Sequence, residues 1–520
     1  MKIPSLKILR IILSLIFFLG TLFVFLDSWE TVGPGLKRSL VFLQFSPSLL
    51  HFITVICFGG TGFIIILILT ALFGRVYCSS ICPLGILQDI ITFLAKKFKI
   101  KKYFKYTKPV NWLRYSFLAV TVIFLIFGSV FLLNLLDPFS NFGRISMHLF
   151  KPVLAGANNL LVNVLERSDI YSVFPVEIKA FNILSFFFTL SVLILLLWMA
   201  GSRGRLFCNT VCPVGTLLGL LSRVSVFRIR FNKDACISCG LCERVCKAGC
   251  IDTKNMHIDL SRCIDCYNCF RVCPVDGIGY RNSLVRAGNT FSGEPSENRR
   301  AFIAGSVLGL FSLSAFSKGK NKLQPSKDTT FPVIKKYPAC PPGSLSIDHF
   351  TDRCTACHLC VSACPTQVLQ PSFLEYGFLG IMQPQMDYWT GYCNFECVAC
   401  TKVCPSGAIL PVSKEEKKTL QIGVAKFVMG NCVVHTDKTD CGACSEHCPT
   451  KAVYMVPYLG NLAIPEVNEE ICIGCGACEY ACPTTPFKAI YVDGNPEHLT
   501  AKKPEKEKIE EADPDEDFPF

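Results

Sequence analysis

Residues 354–365 read CTACHLCVSACP: Cys354, Cys357 and Cys360 stand three apart, and Cys364 follows with Pro365 directly behind it. Three further groups repeat this pattern downstream. Cys472, Cys475, Cys478 and Cys482-Pro483 keep the same spacing. Cys393, Cys397, Cys400 and Cys404-Pro405 carry one extra residue in the first gap, and Cys432, Cys441, Cys444 and Cys448-Pro449 have a long first gap. Three thiolates on a tight loop wrap one face of an iron–sulfur cubane, while the fourth, turned away by proline, ligates a different cluster. Sixteen thiolates in fours therefore predict four 4Fe-4S clusters built from groups that exchange their last cysteine. The two outer groups share one spacing and the inner two depart from it, so nested exchange is expected. That pairing gives Cys354/Cys357/Cys360/Cys482, Cys472/Cys475/Cys478/Cys364, Cys393/Cys397/Cys400/Cys448 and Cys432/Cys441/Cys444/Cys404. Structural zinc uses two close pairs rather than triplets, and disulfide scaffolds belong to short secreted chains.

A second, compact set lies upstream: Cys236, Cys239, Cys242, Cys246, then Cys263, Cys266, Cys269, Cys273-Pro274. Exchange of the fourth ligands predicts Cys236/Cys239/Cys242/Cys273 and Cys263/Cys266/Cys269/Cys246, which brings the expected total to six clusters. Lys247 stands where proline usually follows Cys246. Cys57, Cys250 and Cys340 have no triplet of their own and are read as non-ligands.

The chain of 520 residues is 51% hydrophobic and 18% charged, with 31 cysteines and a formal net charge of +12. This predicts a multi-domain protein in which an α-helical membrane bundle carries small α+β 4Fe-4S domains of the bacterial-ferredoxin type. The basic residues flank apolar runs, so a bilayer explains the charge and nucleic acid does not. Four runs are long enough to cross roughly 30 Å of hydrocarbon, approximately 8–26, 52–73, 112–136 and 182–200. The Lys-rich loop between the second and third, and Arg203 to Lys233 after the fourth, predict that the N-terminus and residues 201–300 face the cytoplasm. The domains expected are 1–225 (membrane), 226–285 (two clusters), 286–336 (linker), 337–495 (four clusters) and 496–520, a charged disordered tail. Within the linker, Arg299-Arg300-Ala301-Phe302 and an apolar run to Phe316 are similar to a twin-arginine export signal. On that reading the run is a fifth span and the four-cluster domain is periplasmic. A cytoplasmic linker helix is the alternative.

The membrane part contains an internal repeat. Gly74-Arg75-Val76-Tyr77-Cys78-Ser79-Ser80-Ile81-Cys82-Pro83 recurs 130 residues later as Gly204-Arg205-Leu206-Phe207-Cys208-Asn209-Thr210-Val211-Cys212-Pro213. Cys78, Cys82, Cys208 and Cys212 are candidates for a metal, a cluster or a pair of redox dithiols. A turn that only shapes a helix start is the competing explanation. His51, His148, Asp27 and Asp137 fall near the outer face of the spans and are candidate quinol contacts. Ser406-Gly407-Ala408 lacks the threonine of a covalent flavin site, and no Gly-rich nucleotide loop follows a strand, so neither flavin nor NAD is expected.

On these residues the first 290 positions resemble the NapH-type membrane quinol dehydrogenase subunit, with its two Cys-x3-Cys-Pro motifs and two ferredoxin groups. From Arg299 onward the chain resembles the exported four-cluster NapG-type ferredoxin, including Pro341-Pro342-Gly343 before the first group. The related MauN and MauM proteins share the two halves. The resemblance implies a fusion, sited in a bacterial inner membrane, that passes electrons from the quinone pool, as menaquinol or ubiquinol, to a periplasmic reductase or c-type cytochrome. A ferredoxin that supplies electrons for maturation of a metalloenzyme is the alternative, and a structural anchor with clusters as staples is a third.

Overall fold

A computed structural model describes residues 3–27, 33–55, 60–99, 103–177, 182–232, 234–282 and 331–503. The twin-arginine-like segment, Cys57 and the tail beyond Lys503 lie outside these residues.

The first half is helical: α1 Ile3–Leu26, α2 Pro34–Phe42, α3 Phe45–Val55, α4 Gly62–Phe73, α5 Val76–Ser80, α6 Pro83–Lys97, α7 Asn111–Ile126, α8 Phe131–Leu136, α9 Pro138–Ile145, a π turn Ser146–Phe150, α10 Lys151–Glu166, α11 Ile183–Arg203, α12 Leu206–Thr210 and α13 Pro213–Ser222. Among the described residues two helices are long and apolar enough to cross a membrane, Leu6–Leu26 and Ile183–Arg203. The expected spans at 52–73 and 112–136 are not single helices. The first is split into α3 and α4, and Gly60 packs so tightly on Phe52 that a Cβ there would lie 2.5 Å from its backbone nitrogen. The second breaks between α7 and α8, around Gly128 at φ +83°. Apolarity marked both runs, but Gly60 stands just before α4, and Gly128 takes a left-handed turn between α7 and α8 that a helix does not continue through.

Two cysteine-rich domains pack at opposite ends of this bundle. The two-cluster domain joins β1 Phe227–Phe231, β2 Ile251–Asp252, β3 His257–Ile258 and β4 Ile278–Asn282, with β1 antiparallel to β4 and β2 to β3. The four-cluster domain has hairpin-like pairs β5 Leu369–Pro371 with β6 Pro384–Met386 and β8 Val453–Pro457 with β9 Ala463–Val467, and closes by pairing β7 Leu420–Phe427 with β10 Ile490–Thr500. That last strand runs past residue 495, so the domain extends into the stretch expected to be a disordered tail.

Four segments run from one domain to the other. α1 begins with Leu6 against the two-cluster core and ends where Phe25 O accepts from Ser362 Oγ at 2.7 Å. Thr54 Oγ1 donates to Ser406 O at 3.4 Å, while at the far end of α4 Phe73 O accepts from Tyr280 Oη at 3.0 Å. Arg114 Nη2 donates to Ser261 O at 2.6 Å, and Asn134 Nδ2 to Ile381 O at 2.9 Å. α11 starts beside Pro371 O, which Asn182 Nδ2 reaches at 3.4 Å, and hands over to Arg205 N, which donates to Lys247 O at 3.1 Å. At 1.5 Å per residue the contacts at Leu6 and Phe25 stand about 29 Å apart along α1.

Candidate metal centres and the cavity beside them

Each cysteine triplet sits where a loop enters a short helix, so that three thiols converge and the fourth, extended in front of proline where proline is present, points elsewhere. One cavity is lined by Cys393, Cys397 and Cys400 together with Cys364, and a second by Cys432, Cys441 and Cys444 together with Cys482. Cys404 lies against Cys354, Cys357 and Cys360, and Cys448 against Cys472, Cys475 and Cys478. The exchange is therefore sequential, first group with second and third with fourth, and the nested pairing expected from the spacing is wrong. The physical divider is β7, which lies between the second and third groups and pairs with β10 after the fourth, so each pair of groups closes as its own unit.

In the two-cluster domain Cys246, Cys263, Cys266 and Cys269 line one cavity, as expected. Cys250 lines it too, 3.5 Å from Cys246 Sγ. Gly277 packs on Cys236 and donates its N–H to Cys273 Sγ at 3.1 Å, which brings Cys273 beside the Cys236 triplet. Cys340 lies 3.4 Å from Tyr376 Oη.

These donor sets fit cubane clusters on two counts. Three of them line a cavity with four thiols. Backbone N–H groups aim at the sulfurs, from Ile409 to Cys404 and from Ala425 to Cys472, both at 3.4 Å. Burial pushes the thiols of Cys357 and Cys444 up to about 12, so occupation by a metal must displace protons. One further regularity was not read from the sequence: each fourth cysteine of the large domain is followed by Pro and then a hydroxyl residue. Thr366, Ser406, Thr450 and Thr484 place their oxygens 3.6, 3.8, 3.7 and 3.1 Å from Cys364, Cys404, Cys448 and Cys482.

A cavity of about 340 Å³ opens between the helical half and the four-cluster domain. Lys37, Arg38, Val41, His51 and Val55 line it on one side; Thr401, Lys402, Cys404, Ile409 and Leu410 line it on the other. Lys37 is paired with buried Asp27 at 3.0 Å. His51 thus faces a cysteine of the first group's site. His148 and Asp137 do not reach this cavity. Asp137 caps α9, accepting from Ser140 N at 2.8 Å. His148 Nε2 meets His358 Nδ1 at 2.9 Å, and His358 Nε2 meets Met382 O at 2.7 Å. Since a carbonyl only accepts, His358 carries its proton on Nε2, and His148 Nε2 donates to it. Burial first, then Arg144, depresses His148 to about 4, and burial and His148 hold His358 well below the ordinary histidine range. Nothing in the sequence pairs His148 with His358, which lies inside the first cysteine group and meets it only through the fold.

Similar proteins carry the same signature. A family model described as "4Fe-4S dicluster domain" matches residues 235–277 and 438–485, and a second of that description matches 353–409. The match at 353–409 covers the first and second groups together, and that at 438–485 takes in the fourth group with Cys441, Cys444 and Cys448 of the third, in keeping with sequential pairing. The chain is a ferredoxin-type iron–sulfur protein. A model described as "4Fe-4S binding domain" matches residues 55–101 and 185–232, the two copies of the repeat. The chain is 28% identical to the ferredoxin-type protein NapF of Escherichia coli over 26% of its own length and 73% of NapF. It is 32% identical to the methylamine utilization ferredoxin-type protein MauM of Methylophilus methylotrophus over 26% of its length and 61% of MauM. It is 28% identical to NapG of Escherichia coli over 30% of its length and 66% of NapG. No solved structure matches the chain. Its role as an iron–sulfur electron-transfer protein related to the Nap and Mau ferredoxins rests on these likenesses together with the cysteine geometry.

Proposed function

We propose that the chain oxidises quinol at the boundary of a membrane and passes the electrons out through the four-cluster domain, as a fusion of NapH-like and NapG-like halves. The observation that carries this reading is the 340 Å³ cavity, which places His51 and Lys37 opposite Cys404. Its apolar wall, Val41, Phe42, Val55, Ile409 and Leu410, suits an isoprenoid quinol, and its basic rim suits the oxygens of the ring. A quinol gives up two electrons and two protons on becoming a quinone. His51 is placed to accept a proton from one ring hydroxyl, the Asp27–Lys37 pair fixes a charge beside the other, whose proton leaves to water at the cavity mouth, and the two electrons leave one at a time through the thiols across the cavity. Cys354, Cys357, Cys360 and Cys404 would hold a 4Fe-4S cluster that supplies one-electron acceptance at this wall. The remaining groups then lead away from the cavity.

The bilayer reading is supported by exposed apolar side chains on α1, α4, α7 and α11, such as Ile12, Leu19, Ile68, Val122 and Trp198, which water would penalise and lipid accommodates. It is also supported by the four segments that link the domains, since the helix between the two contacts of α1, about 29 Å, matches a hydrocarbon layer of roughly 30 Å. On this topology the two-cluster domain is cytoplasmic and the four-cluster domain periplasmic, where a reductase or c-type cytochrome receives the electrons. The test is anaerobic titration of the purified chain in lipid nanodiscs with menadiol or ubiquinol-1, followed by EPR. Reduction in the wild type, and at least tenfold slower reduction in His51→Leu, is expected. Clusters that stay oxidised with both quinols, or an unchanged rate in the variant, would overturn the proposal.

A further inference from the structure

The two copies of the Gly-Arg-…-Cys-x3-Cys-Pro repeat close on one another about a pseudo-twofold axis, and each copy's arginine serves the other's cysteine. Arg75 Nη2 donates to Cys208 O at 3.2 Å, and Arg205 Nη1 donates to Cys78 O at 2.9 Å. The same guanidinium groups stand 3.7 Å from Cys78 Sγ and 4.0 Å from Cys208 Sγ respectively. Cys82 and Cys212 cap α6 and α13 in matching backbone conformations, and their sulfurs accept from Gly85 N at 3.4 Å and Gly215 N at 3.3 Å. All four cysteines are buried, and each lies within electrostatic range of the other three.

We propose that Cys78, Cys82, Cys208 and Cys212 together hold one 4Fe-4S cluster, a seventh, on this axis. Four thiols from two copies make a complete ligand set with no member left over. Two independent dithiols would give no reason for each copy to crowd the other's sulfurs. Charge agrees with a cluster. Four thiolates around a 2+ core carry a net charge of two minus, and the counter-charges are Arg75 and Arg205, 0% and 1% exposed. Arg75 spends its side-chain hydrogen bonds on neutral oxygens, Asn209 Oδ1, Ser261 O and Cys208 O. Asp89 answers only one of the three cations that surround it, Arg10, Arg205 and Lys247. Burial pushes the Cys82 and Cys212 thiols up, and the backbone donors at the N-termini of α6 and α13 work against that, towards thiolate. The matched family model covers each copy by itself, whereas the paired geometry makes them one site.

Position gives the site its use. The corners that carry it are pressed onto the two-cluster domain: a Cβ on Gly74 would strike Asp265, and one on Gly204 would strike Lys247 O. On the other side the same buried core continues to Cys357 and Leu359 of the four-cluster domain. A cluster here would take one electron from a neighbour and pass one on, with no bond made or proton moved, and it would subdivide the gap between the two sets. The proposal does not depend on quinol.

The experiment is iron and sulfide analysis with Mössbauer spectroscopy on the full chain, purified anaerobically with ⁵⁷Fe, and on the Cys78→Ser/Cys208→Ser variant. About 28 irons per chain, four for each of seven clusters, and loss of about one seventh of the spectrum in the variant are expected. About 24 irons in the native chain overturns the proposal whether or not the variant folds. So does a Cys78–Cys82 or Cys208–Cys212 disulfide found by mass spectrometry after alkylation without reductant. Neither readout uses a quinol, so a failure here is distinct from a failure of the quinol site.

Discussion

The contact between His148 and His358 makes the seating of the four-cluster domain on the helical half sensitive to acid. In the seated state burial and Arg144 hold His148 at about 4, whereas an unseated His148 regains its ordinary value near 6.5. Its depressed value means that the seated state holds the neutral ring and the unseated state binds the proton first. The contribution to seating is therefore intact above about pH 6.5 and is lost as pH falls towards 4. At pH 5 the loss works out at about 2 kcal/mol, or roughly a thirtyfold rise in the unseated population, and it grows towards about 3 kcal/mol below pH 4. His358 shifts in the same direction and adds to this. Hydrogen exchange of peptides covering 138–150 and 378–383, in nanodiscs at pH 7.5 and pH 5 and corrected for intrinsic rates, measures it. Protection should fall by at least thirtyfold in the wild type, by less in His148→Gln, and hardly at all in His148→Gln/His358→Gln. Equal protection at both pH values in the wild type, or the full effect surviving in the double variant, would refute the reasoning.

Other perturbations read different parts of the structure. Thr484→Val removes a hydroxyl 3.1 Å from Cys482 Sγ, and a lost hydrogen bond worth about 1 kcal/mol to the reduced state should lower one potential by about 40 mV in an EPR-monitored titration. Sequential exchange predicts that Cys482→Ser and Cys432→Ser alter the same EPR component, and that Cys404→Ser and Cys354→Ser share a different one; a change common to Cys482→Ser and Cys354→Ser would restore the nested arrangement. Asp89→Asn strands Arg10, Arg205 and Lys247 together, a loss of about 3 to 5 kcal/mol that should appear as a lowered melting temperature. Burial opposes the charge on Asp89, but those three cations hold its carboxyl far below the usual range, so the wild type should keep this contribution well into acid.

Which cysteines form triplets was legible because cluster ligands are local: three thiols within seven or eight residues, or thirteen in the group from Cys432 to Cys444, wrap one object. In the four-cluster domain the partner of each fourth cysteine was not, since it depends on a strand pairing between β7 and β10 that spans some seventy residues and leaves no mark on the cysteine spacing. The repeat at 74 and 204 was visible in the chain, and its reciprocal arginines were not, because a motif copied twice does not say that the copies face one another. His148 was singled out without a partner, and His358 was hidden inside a cysteine motif whose ligands drew the attention. Arg38 and Lys37 carried no signal beyond charge near an apolar run, and only the fold brings them to a cavity beside Cys404.

The two broken segments are where the structure departs most from a simple bundle, and the breaks have a physical logic. A helix interrupted in hydrocarbon exposes N–H and C=O groups that lipid cannot satisfy, so such breaks are stable only where protein or a polar cavity takes over those groups. At the first break a single side chain does so: Ser48 Oγ donates to Gly60 O at 2.8 Å and accepts from Phe63 N at 2.9 Å. At the second, Ser129 Oγ accepts from Phe131 N at 3.4 Å, and beyond it Asn134 on α8 reaches Ile381 O, tying the short helix to the four-cluster domain. Both repairs lie towards the end of the bundle that meets that domain. The first break turns α3 aside from α4 and leaves His51 and Val55 bordering open space across from Cys404. A continuous helix through 52–73 would have extended the apolar run straight to that surface. On the quinol reading proposed above, the interruption is the feature that makes room for a small apolar molecule beside the first group of thiols, and Ser48, which bridges it, belongs to the site as much as His51 does.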